Sequence, residues 1–169
     1  MMNRSVADPV NVHASCVALT CAELTMGVLL MGPSGCGKSS LALSLIDQSG
    51  SGIGSDAPIT ARLVSDDQVL LTEVDGDLMA SAPKPITGLL EVRGIGIVQV
   101  QTARSPMRVD RVVSHAAAAD QERVPDTCEI ELAGCNLPLH KIDFVAASAA
   151  AYIRVLAQMQ WGLTSSINR

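Results

Sequence analysis

The sequence predicts an α/β fold with a mixed sheet, a β-hairpin and a C-terminal helix. Three observations carry this expectation. An apolar run at 27–31 opens into a glycine-rich loop and then a segment of helical periodicity, a strand–loop–helix unit. Asp75-Gly76 separates two segments of strand character, a strong hairpin-turn signal. An Ala-rich stretch near the C-terminus is built of strong helix formers. The 169 residues suit one compact domain, and a 48% hydrophobic content is ample for its core. With one Trp, one Tyr and one Phe, that core must be aliphatic.

Along the chain, residues 11–19 alternate loosely and read as a strand, and 27–31 as a short buried one. In 41–48 the spacing of Leu41, Leu43 and Leu45 suits a strand, whereas Leu41, Ala42, Leu45 and Ile46 suit a helix. The preceding glycine loop decides for the helix, and Gly50 stops it. Residues 49–59 form a Ser/Gly-rich connector that is expected to be mobile. A short strand at 63–67 ends in Asp66-Asp67; 68–74 and 78–82 are the hairpin; 89–100 mixes apolar residues with Gly94 and Gly96. Residues 107–113 read as one strand, 116–123 as a short helix and 128–132 as a strand. The last helix is expected to start near Asp143 as N-cap and to run to about Gln160. Residues 1–10 are expected to be a disordered tail, 11–160 the folded domain and 161–169 a C-terminal tail.

Composition excludes several classes. Twelve Lys and Arg stand against 17 Asp and Glu, a net charge of −5, which disfavours generic nucleic-acid binding. The scarcity of aromatics removes the stacking platforms of a single-strand binder. No apolar stretch approaches the roughly 18 residues of a membrane span. Asp8, His13 and Glu23 interrupt the region where a signal peptide would be apolar. Five cysteines, Cys16, Cys21, Cys36, Cys128 and Cys135, contain no C-x-x-C pair. A reducing cytoplasm fits them better than a disulfide framework or a zinc site, and most read as small buried hydrophobes.

The strongest chemical signal is Gly32-Pro33-Ser34-Gly35-Cys36-Gly37-Lys38-Ser39, a complete G-x-x-x-x-G-K-S loop. Glycines let successive N–H groups face one anion, and the following helix adds its N-terminal partial charge. Lys38 is positioned for the β- and γ-phosphates of ATP and Ser39 for magnesium. Cys36 could carry a redox role, but a small residue tolerated at a variable position explains it more simply. Such a loop needs an acid, which Asp66 and Asp67 offer. Neighbours on a strand point to opposite faces, so one could help position magnesium and leave the other free. The chain contains no Asn-Lys-x-Asp segment to read guanine, and its arginines (Arg62, Arg93, Arg104, Arg108, Arg111, Arg123) are scattered rather than gathered in a lid.

Four segments in order resemble the C-terminal catalytic domain of HPr kinase/phosphorylase. They are His13-Ala14-Ser15-Cys16-Val17, the loop from Gly32 to Ser39, Leu63-Val64-Ser65-Asp66-Asp67, and Leu90-Glu91-Val92-Arg93-Gly94-Ile95-Gly96-Ile97. The resemblance runs over residues 11–157 and is greatest to the short, proteobacterial form lacking the N-terminal domain. It implies a P-loop kinase core that uses ATP and magnesium to phosphorylate a serine of an HPr-like phosphocarrier protein of the phosphotransferase system. It further implies a homo-oligomer, commonly a hexamer. By that resemblance Asp67 is the base, His13 supports it, and Glu91 joins Ser39 on magnesium. Arg123 is the candidate to neutralise the transferring phosphoryl, with Arg111 as alternative. His115 and His140 match nothing and read as surface residues.

The chain departs from the family in two places. Residues 137–143 stand where the family carries a basic Pro/Gly/Arg loop tied to phosphorolysis, so the reverse reaction is expected to be weak or absent. The 49–59 connector is also longer than usual. A small-molecule kinase and a non-catalytic ATP-sensing module remain alternative readings.

Overall fold

The computed structural model describes residues 8–121 and 128–164. Strand β1 (Val10–Val12) precedes β2 (Ala14–Cys21), β3 (Leu24–Met31) and helix α1 (Lys38–Asp47). β4 (Thr60–Ser65), the hairpin of β5 (Val69–Val74) and β6 (Asp77–Ser81), and a second hairpin of β7 (Leu89–Val92) and β8 (Gly96–Gln99) come next. β9 (Met107–Arg108), β10 (Arg111–His115), β11 (Cys128–Leu132), β12 (Cys135–Ile142) and helix α2 (Ala149–Gln160) follow.

The main sheet has the order β11-β12-β10-β3-β2-β4. It is mixed: β10 runs parallel to β3 and β12, while β2 is antiparallel to β3 and β4. A second sheet, β1-β5-β6-β9, and the β7–β8 ribbon complete the strands. The burial pattern of β2 explains why two sheets are needed. Val17, Leu19 and Cys21 join the core that contains α1 and α2, whereas Ala14, Cys16 and Ala18 join the core against β5 and β6. A strand buried on both faces needs a covering layer on each side, and the small residues on one face admit the second sheet. Burial pushes the Cys16 thiol up to about 12, so it behaves as an inert core residue. Among the described residues no helix is long and apolar enough to cross a membrane.

Several expectations are corrected. Residues 107–113 are two strands in different sheets. Asp110 hands the chain across: its N–H donates to the Gly27 carbonyl (2.8 Å) and its carboxylate accepts the Gly27 N–H (2.9 Å). Of the helix expected at 116–123, only a 3-10 turn at Ala118–Asp120 is present among the described residues. Residues 137–142, to which the sequence assigned no element, lie in strand β12, with Leu137 in one core and Ile142 in the other. Helix α2 begins at Ala149; Asp143 instead caps a local turn by accepting the Val145 N–H at 3.0 Å.

The 49–59 connector is tied down by α2 rather than left loose. Gln158, fully buried, accepts the N–H groups of Ile53 (2.8 Å) and Gly54 (3.2 Å) and donates to the Ser51 carbonyl (2.7 Å). Arg154 donates to the Gln48 carbonyl at the end of α1, where a cation suits the helix dipole. Val10, the last residue of the segment expected to be an N-terminal tail, belongs to β1 and pairs with Leu71; residues 1–7 of that segment lie outside the described residues.

Candidate active site

Three backbone features converge at one end of the main sheet: the β3–α1 loop, the β4–β5 turn and the β7–β8 ribbon. They bound a cleft lined by His13, Ser34, Gly35, Gly37, Lys38, Ser39, Ser40, Asp67, Glu91, Arg93 and Val145. Gly35 and Gly37 hold φ of 80° and 105°, which side chains disfavour and the loop's curl requires. The Gly37 carbonyl accepts the Leu41 N–H at 2.9 Å, opening α1 directly beneath the loop. Loop amides and a helix N-terminus together make a setting that suits an anion.

Lys38 is the first residue of α1 and is buried. Its ammonium donates to the carbonyls of Gly32 (2.8 Å) and Pro33 (3.0 Å) and lies 3.1 Å from His13 Nε2. An ammonium can only donate, so Nε2 carries the lone pair and the imidazole proton resides on Nδ1. Nδ1–H then faces Asp67, 3.0 Å from its carbonyl and 3.2 Å from its carboxylate. Lys38, His13 and Asp67 thus form one continuous polar chain.

The adjacent acids part company where the chain leaves the main sheet for the second one. The turn is tight: the Gln68 N–H donates to the Asp66 carbonyl at 2.8 Å, and Asp67 takes a φ of 65°. Asp66 is 4% exposed and points inward, where Oδ1 accepts Ser15 Oγ–H at 2.5 Å and Ser39 Oγ–H at 2.9 Å. The Asp67 side chain is 66% exposed and lines the cleft. On β7, Leu90 is fully buried and Val92 packs on the core. Glu91 alternates with them and Arg93 follows it, both lining the cleft. Ile97 pairs with Glu91 across the ribbon and so shares its face, 70% exposed. Val145, 73% exposed, lines the same cleft.

Of the residues singled out in the sequence, His13, Ser34, Gly35, Gly37, Lys38, Ser39, Asp67 and Glu91 meet in this cleft. Cys36 packs against the core beside them. Arg123 lies outside the described residues. The alternative, Arg111, is on β10 and does not line the cleft; Arg93 does. His115 is a correction: it is half-buried, its Nδ1 accepting the Phe144 N–H at 3.2 Å. His140 is half-buried too, and burial together with the Arg111 charge lowers its pKa. Ser15 carries no sequence signal of its own, because a hydroxyl in an apolar strand matters only once its opposite neighbour is known.

The fold and site define a mixed α/β protein that sets a glycine-rich loop against paired aspartates. Residues 4–111, more than half of the chain, match the family model of the HPr serine kinase C-terminal domain. The chain belongs to that family. It is similar to the HPr kinase/phosphorylase of Clostridium beijerinckii, with 43% identity over 77 residues, 46% of this chain and 22% of the relative. It is also similar to that of Thermoanaerobacter sp., with 33% identity over 119 residues, 66% of this chain and 34% of the relative. The chain therefore spans about a third or less of these relatives' length. Its fold resembles the solved structure of the Hpr(Ser) kinase/phosphatase from Coxiella burnetii, at 23% identity and a TM-score of 0.65, covering 90% of this chain and 96% of that one.

Proposed function

We propose that this chain is a P-loop kinase that transfers the γ-phosphoryl of ATP to a serine of an HPr-like phosphocarrier protein of the phosphotransferase system, with phosphorolysis weak or absent. One observation carries the reading: the β4–β5 turn separates the two acids. Asp66 is buried behind Ser39, while Asp67 is turned into the cleft beside His13. A family in which the curated relatives are named HPr kinase/phosphorylase supports the same assignment.

The residues fit the groups this chemistry requires. Ser39 and Glu91 offer oxygen donors in one cleft, with Asp66 accepting the Ser39 proton so that a lone pair stays available, which suits a hard cation such as magnesium. Magnesium, when bound, neutralises phosphate charge. Lys38 exchanges its loop carbonyls for phosphate oxygens. His13 Nδ1–H orients Asp67, and Asp67 accepts the proton of the incoming serine hydroxyl. Catalysis is then positioning plus electrostatics. Arg123 remains a proposed cation at the transferring group. The exposed Ile97 and Val145 give the polar cleft an apolar rim, which a protein acceptor can cover and a small metabolite does not need. Residues 137–143 contribute only Lys141 and His140 as basic groups, so the positive charge they can offer to phosphorolysis is small.

Incubation with γ-labelled ATP, magnesium and an HPr-like protein tests the reading, with the serine-to-alanine acceptor and hydroxyl metabolites as parallel arms. Label on the protein serine supports it. Label on a metabolite, or nucleotide binding without transfer, refutes it in favour of a small-molecule kinase or an ATP-sensing module. Phosphoserine acceptor incubated with millimolar phosphate should release little pyrophosphate. Self-association into a homo-oligomer belongs to the same proposal and is tested by mass measurement in solution.

A further inference from the structure

We infer that Arg93 is a γ-phosphate ligand, supplied in cis by the β7–β8 ribbon, and that it lets this site distinguish a nucleoside triphosphate from a diphosphate. The inference rests on reading the loop as a nucleotide site, and three observations carry it beyond that reading. Arg93 lines the cleft and is the one arginine to do so among the described residues. Its guanidinium lies against the glycine loop: a Cβ on Gly35 would stand 3.2 Å from Arg93 Nη2. Glycine at 35 thus does more than permit a φ of 80°; it leaves the space that the guanidinium uses. Finally, the one arginine–carboxylate pair among the described residues is Arg108–Asp110, so Arg93 holds no described carboxylate and its donors are available to a ligand.

The terminal phosphate is the group it would meet. Lys38 sits at the start of α1, whereas Arg93 reaches the loop at Gly35 from the β7–β8 ribbon, two residues beyond Glu91. Ser39 and Glu91 would hold a magnesium ion that offsets phosphate charge, and Arg93, two residues from Glu91 in the β7–β8 turn, would add a second cation for the terminal phosphate in the same cleft. A diphosphate lacks that group. A guanidinium forms paired, charge-assisted bonds with phosphate oxygens that a lysine reproduces only as a point charge.

The test compares the affinities of magnesium–ATP and magnesium–ADP, each measured by displacement of a fluorescent ribose-labelled ADP. Wild type is compared with Arg93→Ala, Arg93→Gln and Arg93→Lys. Arg93→Ala and Arg93→Gln should lower ATP affinity by at least about tenfold while ADP stays within about twofold, and Arg93→Lys should recover part of the loss. Equal weakening of both nucleotides, or of neither, overturns the assignment. No protein acceptor is involved, so a chain that binds nucleotide but phosphorylates no protein serine sinks the kinase reading and leaves this ratio to be judged alone. A wild-type chain that binds neither nucleotide overturns both.

Discussion

Replacing Ser15 by alanine tests how the buried acid is held. Ser15 is fully buried on β2, and its hydroxyl donates at 2.5 Å to the same Asp66 oxygen that accepts Ser39 at 2.9 Å. A hydrogen bond to a carboxylate contributes about 1.5–3 kcal/mol, and here no bulk water can replace the lost donor. Ser15→Ala should therefore cost about 2 kcal/mol of unfolding free energy, or roughly 4–8 °C in Tm for a chain of this size. Urea unfolding followed by circular dichroism measures the first and a thermal scan the second. The change also reaches the cleft, since Ser39 keeps a lone pair for magnesium only while Asp66 stands ready to take its proton. The magnesium concentration at half-maximal ATP binding should rise by roughly tenfold, the size of effect seen when groups behind a metal ligand are removed. Ser15→Thr should restore most of both. A Ser15→Ala protein within about 0.5 kcal/mol of wild type, with unchanged magnesium dependence, would refute the idea that this contact positions Asp66.

Lys38→Ala should lower transfer at least about a thousandfold, because the loop offers no other side-chain cation; near-normal turnover would sink the phosphate-loop assignment. Asp67→Asn should cut the transfer rate with ATP affinity held within a few-fold, whereas Glu91→Gln should shift the magnesium dependence; a reversed pattern in a magnesium titration would exchange the two roles. Gln158→Ala should cost about 2–4 kcal/mol in urea unfolding, since it strips three hydrogen bonds from the 51–54 backbone. His140 has a pKa below its ordinary 6.5 through burial and the Arg111 charge, so the unfolded chain takes up the proton first as pH falls. The stability tied to His140 is complete above about pH 6.5 and is lost below it until the folded value is reached; Tm between pH 7.5 and 5.5 should fall less in His140→Gln than in wild type.

The parts of this fold whose signal is local are legible from residues alone. The G-x-x-x-x-G-K-S loop lies between a strand and a helix because backbone curl, anion-facing amides and helix start are set within eight residues. The Asp75-Gly76 turn closes β5 onto β6 as its two residues predict, with φ of 53° and 91°. The two acids part as the alternation rule expects, but β4 ends at Ser65 and it is the tight turn beyond it that separates them, and nothing in the sequence says which one is buried. The tertiary structure decided what depends on partners far along the chain. Whether β2 is covered on one face or two shows only when a second sheet packs on Ala14, Cys16 and Ala18. A Ser/Gly-rich connector reads as mobile until Gln158, more than a hundred residues away, is found holding its backbone. Strand β12 was hidden because Pro138, His140 and Lys141 interrupt its apolar pattern, and pairing with β10 and β11 overrides that weak local preference. Arg93 looks like one of several scattered arginines; the fold of the β7–β8 ribbon against Gly35 brings it to the cleft. Local rules reach a few residues, whereas burial and long-range hydrogen bonds act between segments whose approach no short window of sequence contains.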